Sequence, residues 1–333
     1  MSFLILEEND IDDILKYINN EQIIFHPKYS LEGALDYSII KKLSFENNCQ
    51  IILDRNLLTS LLKISTDGFL KDSNEENLIS VLMVWLHLLD INPNASIAIM
   101  ENAYNSNNSN NAKKELVQFK EIFNLIPTQL WFDLAKGKID RLPINIMENK
   151  ETTINNNLSY HAGNDFFKMC YASILHITQL YKNNNYSSVE KIKNFWDWNF
   201  DKLLISQYIN TYVILLFSNQ ENIKAPKNSN SKDFEKIKKG CINQAWDLTY
   251  LSIWSTLYWN ESSSNDIHFF ATADILLKRI FINCHSGENL YNLIYDCFSK
   301  KMLLTLLTTI RKKVKIGKNL IFLIQQKRFT FLI

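Results

Sequence analysis

The stretch Ile51-Ile52-Leu53-Asp54-Arg55-Asn56-Leu57-Leu58 constrains this chain more than any other. A fully apolar run ends on a carboxylate, and a helical stripe of Leu57, Leu58, Leu61 and Leu62 begins at once. A strand of continuous branched aliphatics is buried on both faces, as in a parallel sheet whose crossover helices cover both sides. In open α/β sheets, ligands and chemistry gather where strands end on their carboxyl side. Asp54 stands at such an edge. It is either the cap of the helix that follows or a functional acid.

A second unit repeats the pattern. Ile267-His268-Phe269-Phe270-Ala271 reads as a strand, and Thr272-Ala273-Asp274 leads into the stripe Ile275, Leu276, Ile280. Thr272 is expected to cap that helix and Asp274 to fall in its first turn, where a carboxylate suits the helix dipole. Two further acids sit in apolar surroundings. Glu101 lies on the short helical segment Ile97 to Ala103, and Asp247 is set among Trp246, Leu248, Tyr250, Leu251 and Trp254. A carboxylate in such company is costly unless it is paired or holds a cation. Oxygen-only clusters are what Mg²⁺ and Mn²⁺ require, and a bound ion of this kind orients water and offsets phosphodiester charge.

Composition narrows the class. The 333 residues are 46% hydrophobic with twenty Phe, fourteen Tyr and seven Trp, enough for a large core in one or two domains. Only seven Gly and five Pro argue against sandwiches and propellers, so helices should dominate. The net charge of +1 announces no nucleic-acid partner by itself. Basic runs at Lys224 to Lys239 and Arg311 to Lys318, with Lys278-Arg279 between, read as solvated faces or as phosphate contacts. Five cysteines (49, 170, 241, 284, 297) without paired spacing suggest a reduced, cytoplasmic setting. The amino terminus carries no evident secretory signal, and Leu203 to Phe217 is too short and polar for a membrane span.

The order and context of Asp54, Glu101, Asp247 and Thr272-x-Asp274 resemble those of the acidic residues of PIN-like nucleases. Ala245-Trp246-Asp247-Leu248 and Phe270-Ala271-Thr272-Ala273-Asp274 carry the resemblance most clearly, which covers roughly residues 45–105 and 240–300. It implies an α/β, three-layer fold with a central, mainly parallel sheet. It also implies Mg²⁺ or Mn²⁺ held by the four acids, and hydrolysis of RNA or, less often, DNA. By position, Arg55 and Asn56 would reach a phosphate of the substrate or steady Asp54. The resemblance implies that Thr272 binds a water or phosphate near the metal, and Lys278 is among the cations that would offset phosphate charge. Asp67, Asp90, Asp266 and Asp296 are fallback acids.

The long gap between Glu101 and Asp247 requires a helical insertion. The resulting plan is an N-terminal extension (1–44) packing on the core, a discontinuous α/β domain (45–112 and 231–333) and a helical insertion (113–230). Within it, helices are expected at 31–44, 75–90 and Ala95 to Tyr104, with Tyr104 to Asn111 as a loop and Asn92-Pro93-Asn94 as a breaker. One helix from Ser231 should stop at Gly240, and another should run from Ile242 to Tyr258. His161, Cys170 and His176, the pair Cys284-His285, and the stripe Tyr250, Trp254, Tyr258 read as structural. The alternatives to a nuclease are a non-catalytic helical scaffold or binding protein, and a toxin or defence effector that uses the same acids under an inhibitory partner. A homo-oligomer stays open, and no membrane partner is expected.

Overall fold

A computed structural model describes residues 7–143, 164–287 and 290–298. The chain divides into two compact units, Met1–Lys168 with Trp246–Ser286, and Met169–Ala245 with Gly287–Ile333. The elements run α1 (Glu8–Glu21), β1 (Ile24–Phe25), α2 (Tyr37–Glu46), β2 (Asn48–Leu53), α3 (Arg55–Asp67), α4 (Ser73–Leu88), β3 (Asn92–Asn94), α5 (Ser96–Ser106), α6 (Ser109–Leu125) and α7 (Thr128–Ala135). They continue with α8 (Asp165–Lys182), α9 (Ser188–Lys202), α10 (Gln207–Phe217), α11 (Phe234–Asn260), a 3-10 turn (Glu261–Ser263), β4 (Asp266–Ala271), α12 (Ile275–His285) and α13 (Leu290–Cys297). The fold is therefore helix-rich with one small mixed sheet, an α/β arrangement.

The sheet has the order β1-β4-β2-β3. β2 is parallel to β4 and to β3, and β1 adds antiparallel to β4 at the edge. Ile51, Ile52 and Leu53 are each at most 1% exposed, so both faces of β2 are covered. Burial of such side chains stabilises the fold by roughly 1.5–3 kcal/mol apiece. The order also makes β2 the reversal point. The chain leaves β2 for β3 on one side and returns to β4 on the other. In open α/β sheets the crevice beyond the carboxyl end of that strand is where ligands bind.

Several expected boundaries shift. The helix expected at 31–44 starts only at Tyr37, because the Asp36 carboxylate accepts from the amides of Ser38 and Ile39. Asn92-Pro93-Asn94 is a strand beside β2 rather than a mere breaker, and an edge position tolerates its proline. The expected loop Tyr104 to Asn111 contracts to two residues. Asn107 takes the left-handed conformation (φ 48°) and the Asn108 side chain accepts from Asn110 N. Gly240 does not end a helix. α11 runs through it, and a Cβ there would lie 1.8 Å from the Lys227 carbonyl oxygen. Close backbone contact, not termination, is what this glycine serves.

In the first unit, Trp254 Nε1 donates to the His268 carbonyl at 2.8 Å and ties α11 to β4. β1 is fastened from its flank. Lys28 N donates to His26 Nδ1 at 3.2 Å, so the proton sits on Nε2, which donates to Glu261 at 3.1 Å. In the second unit, α10 packs on α9 and α13. Cys170 is buried, and His176 stacks on Trp198 at 4.3 Å. The five cysteines form no disulfide. Among the described residues no helix is long and apolar enough to cross a membrane. The segment 3–6, His161, the basic run Arg311 to Lys318 and the tail Leu320 to Ile333 lie outside the described residues.

Candidate functional site: four acids at the end of the central strand

Asp54 follows β2 directly, and its amide still extends the ladder, donating to Ala271 O at 3.1 Å. Its side chain then turns to cap α3. Oδ1 accepts from Leu57 N at 2.8 Å, and Oδ2 accepts from Thr272 Oγ1 at 2.5 Å. The cap and the functional position thus fall on the same residue. Thr272 is fully buried and follows the last residue of β4, while its own amide donates to Ile23 O. It is not the cap of α12. Asp274 caps that helix by accepting from Leu277 N at 3.0 Å, and Asp274 N donates to Thr272 Oγ1 at 3.0 Å. One threonine hydroxyl therefore couples the two acids that end the two parallel strands.

Glu101 on α5 is 9% exposed. Its Oε2 accepts from Tyr250 Oη at 3.0 Å, and the Asn105 amide approaches Oε1 at 3.5 Å. Asp247 lies three residues before Tyr250, so the two share a face of α11. Asp247 keeps part of its surface open, yet it is so closely surrounded that its carboxyl is pushed well above the usual range.

The electrostatics tie the four together. Burial raises Asp247 most, and the charges of Asp274, Glu101 and Asp54 raise it further. Asp54 is pushed up to about 6, chiefly by burial and also by Asp274, against the bonds from Leu57 N and Thr272. Glu101 is pushed up to about 7, again chiefly by burial, with Tyr250 and Arg55 pulling down and Asp54 pushing up. Asp247 is thus within electrostatic reach of the other three acids, and Asp54 of Asp274 and Glu101.

The nearby cations have other commitments. Arg55 makes a bidentate pair with Glu115 at 2.7 and 2.8 Å and reaches Ala98 O at 3.4 Å, so it points to α6 rather than to Asp54. Its charge still acts on Glu101. Lys278 donates to Glu21 O at 2.8 Å, and burial lowers its pKa against the pull of Glu21, Asp274 and Asp54. Asn56 contributes its backbone to Asp54, and its side chain is exposed. Of the fallback acids, Asp67, Asp90 and Asp296 are exposed, and Asp266 opens β4 at the opposite end from Thr272.

Sequence reasoning misses two residues of this neighbourhood, Tyr250 and Glu115. Tyr250 reads as core in the sequence, although its spacing from Asp247 on one helix face is a usable signal. Nothing in the sequence marks Glu115.

The donor set, carboxylates with a threonine hydroxyl, fits a hard divalent cation in type. Crowded like charges with only partial cationic relief fit it too. Among the described residues, however, no group of three or more His, Cys, Asp or Glu stands close enough to hold an ion as the side chains lie. No protein-family model matches the chain, and neither a curated protein nor a solved structure matches it.

Proposed function

We propose that the chain is a PIN-like, metal-dependent nuclease that hydrolyses phosphodiester bonds, with single-stranded RNA as substrate ahead of DNA. One observation carries this reading. Asp54 and Asp274, the acids that follow the two parallel strands β2 and β4, share the Thr272 hydroxyl, and the buried Asp247 on α11 feels the charges of both and of Glu101. Structural acids have no reason to gather at the cost of mutual repulsion, whereas a cation site does. Asp54, Glu101, Asp247 and Asp274 would hold one or two Mg²⁺ or Mn²⁺ ions. A bound ion supplies an activated water and neutralises charge on the phosphate.

The residues of the chain do the rest. Thr272 holds Asp54 and the start of α12 in one register. The carboxylate oxygens have lone pairs beyond the cap bonds, so capping and ligation are compatible. Lys278, half-buried and within the electrostatic influence of Asp274 and Asp54, would meet a phosphate only by leaving the Glu21 carbonyl. No side-chain nucleophile is required.

The second reading is a non-catalytic scaffold, favoured by the observation that Asp54 and Asp274 already serve as helix caps. Cleavage of labelled RNA and DNA with and without Mg²⁺ or Mn²⁺ separates the two. Wild type should cleave only with metal, and Asp54→Asn and Asp247→Asn should each lose at least about 100-fold, roughly 2.7 kcal/mol of barrier. Undiminished cleavage in both variants refutes the site, and no cleavage by wild type leaves the scaffold. A toxin or defence effector would add growth arrest that requires the same acids.

A further inference from the structure

Tyr250 is 1% exposed, on the same face of α11 as Asp247, and its hydroxyl has a carboxylate as acceptor. Burying a phenol hydroxyl costs free energy unless it is bonded, so a core position would ordinarily take phenylalanine. Glu101 lies on α5, where Tyr250 donates to one carboxylate oxygen and Asn105 makes the longer contact to the other. Arg55, the nearest guanidinium, is turned away into the Glu115 pair.

We propose that Tyr250 is a positioning residue for Glu101. By donating to Oε2 it fixes the carboxylate's orientation and leaves Oε1 as the oxygen presented to a divalent cation. This inference rests on the metal-dependent reading above.

The chemistry suits the task. The Tyr250 hydroxyl is a single neutral donor, and it reaches Glu101 Oε2 at 3.0 Å. A neutral donor orients a ligand without drawing off its charge, whereas an arginine at the same place would neutralise Glu101 outright. Outer partners of this kind typically change metal affinity by about 10–100-fold when removed.

The test is Mn²⁺ titration calorimetry on the full chain, comparing wild type, Tyr250→Phe, Tyr258→Phe and Asp54→Asn. Tyr258 lies on the same helix, packed on Trp254 and away from the acids, and controls for loss of a hydroxyl. The expected result is a Kd raised tenfold or more by Tyr250→Phe and unchanged by Tyr258→Phe. A Tyr250→Phe loss below tenfold, or an equal loss in Tyr258→Phe, overturns the proposal. If wild type binds Mn²⁺ and Asp54→Asn does not, such a result removes this inference alone. If wild type binds no Mn²⁺ at millimolar concentration, the nuclease reading falls and takes the inference with it. Should Tyr250→Phe lose its cooperative melting transition, 3-fluorotyrosine placed at position 250 replaces it. Its ¹⁹F resonance should shift on saturation with Mg²⁺, and an unmoved resonance overturns the proposal.

Discussion

An N-cap needs an acceptor oxygen, whereas a cation site needs charge, and Asp54 offers both. Asparagine separates the two requirements, since it caps helices about as well as aspartate. Asp54→Asn should therefore keep the cap on Leu57 N, lose the acceptor of the Thr272 hydroxyl at a cost of about 1–3 kcal/mol, and remove metal binding. Chemical denaturation beside metal titration checks this, and a larger stability loss would mark Asp54 as structural only. The position of Asp54 is legible in the sequence because an apolar run ending on an acid is a strand end. The role of Thr272 is not. Sequence shows the spacing Thr272-x-Asp274, but only the parallel register of β2 and β4 puts that hydroxyl on Asp54.

Glycine inside a helix is ordinarily a weakness, and replacing it with alanine gains up to about 1 kcal/mol. At Gly240 the sign should reverse. A methyl would meet the Lys227 backbone, so Gly240→Ala should lower stability by more than about 1 kcal/mol or displace the 219–231 segment. Thermal melting checks it, and a stabilised variant would show that the contact is not maintained. At the sheet edge, β1 is only two residues long and depends on its flank. Glu261 is held down to about 2, because bonds from His26 and His268 outweigh the effect of burial. Glu261→Gln should cost about 1.5–3 kcal/mol by weakening that charge-assisted contact. An unchanged melting temperature would contradict it. Elements with strong periodicity, such as α3 and α4, can be read directly. β3 cannot, since Asn-Pro-Asn has no strand signature and pairs only because β2 offers a free edge. The asparagine-rich junction before α6 misleads for a related reason. The residues that make loops also make caps and left-handed turns.

Across the whole molecule, the order of the four acids along the chain hints at their convergence. The approach of α11 to β4, which brings Asp247 under the charges of Asp54 and Asp274, is a tertiary fact with no local signal in the chain. Convergence has a pH signature in the metal-free protein. Asp54 and Glu101 have folded pKa values raised from 3.8 to about 6 and from 4.5 to about 7. A raised group lends stability that is full below its unfolded value and is lost as pH rises through the folded one. Glu261 is lowered from 4.5 to about 2, so its contribution is present above 4.5 and lost as pH falls toward 2. Four histidines with lowered values, His26, His87, His176 and His285 (the last to about 4), withdraw stability as pH falls through the same window. The acids' share is therefore the difference between two proteins: from about pH 7 toward 4.5 the metal-free melting temperature of wild type should gain on that of Asp54→Asn. Parallel pH profiles for the two proteins would contradict the buried, crowded state of the acids.

A divalent ion should offset that repulsion near neutral pH. Binding to the folded state alone stabilises by about 2.7 kcal/mol at 100 times Kd. The most direct measurement is the melting temperature at pH 7.5 as a function of Mn²⁺, for wild type and Asp54→Asn in parallel. The account predicts a saturable rise of several degrees in wild type that is absent in Asp54→Asn. Equal curves for the two proteins, flat or rising, would contradict the claim that these four carboxylates form a cation site.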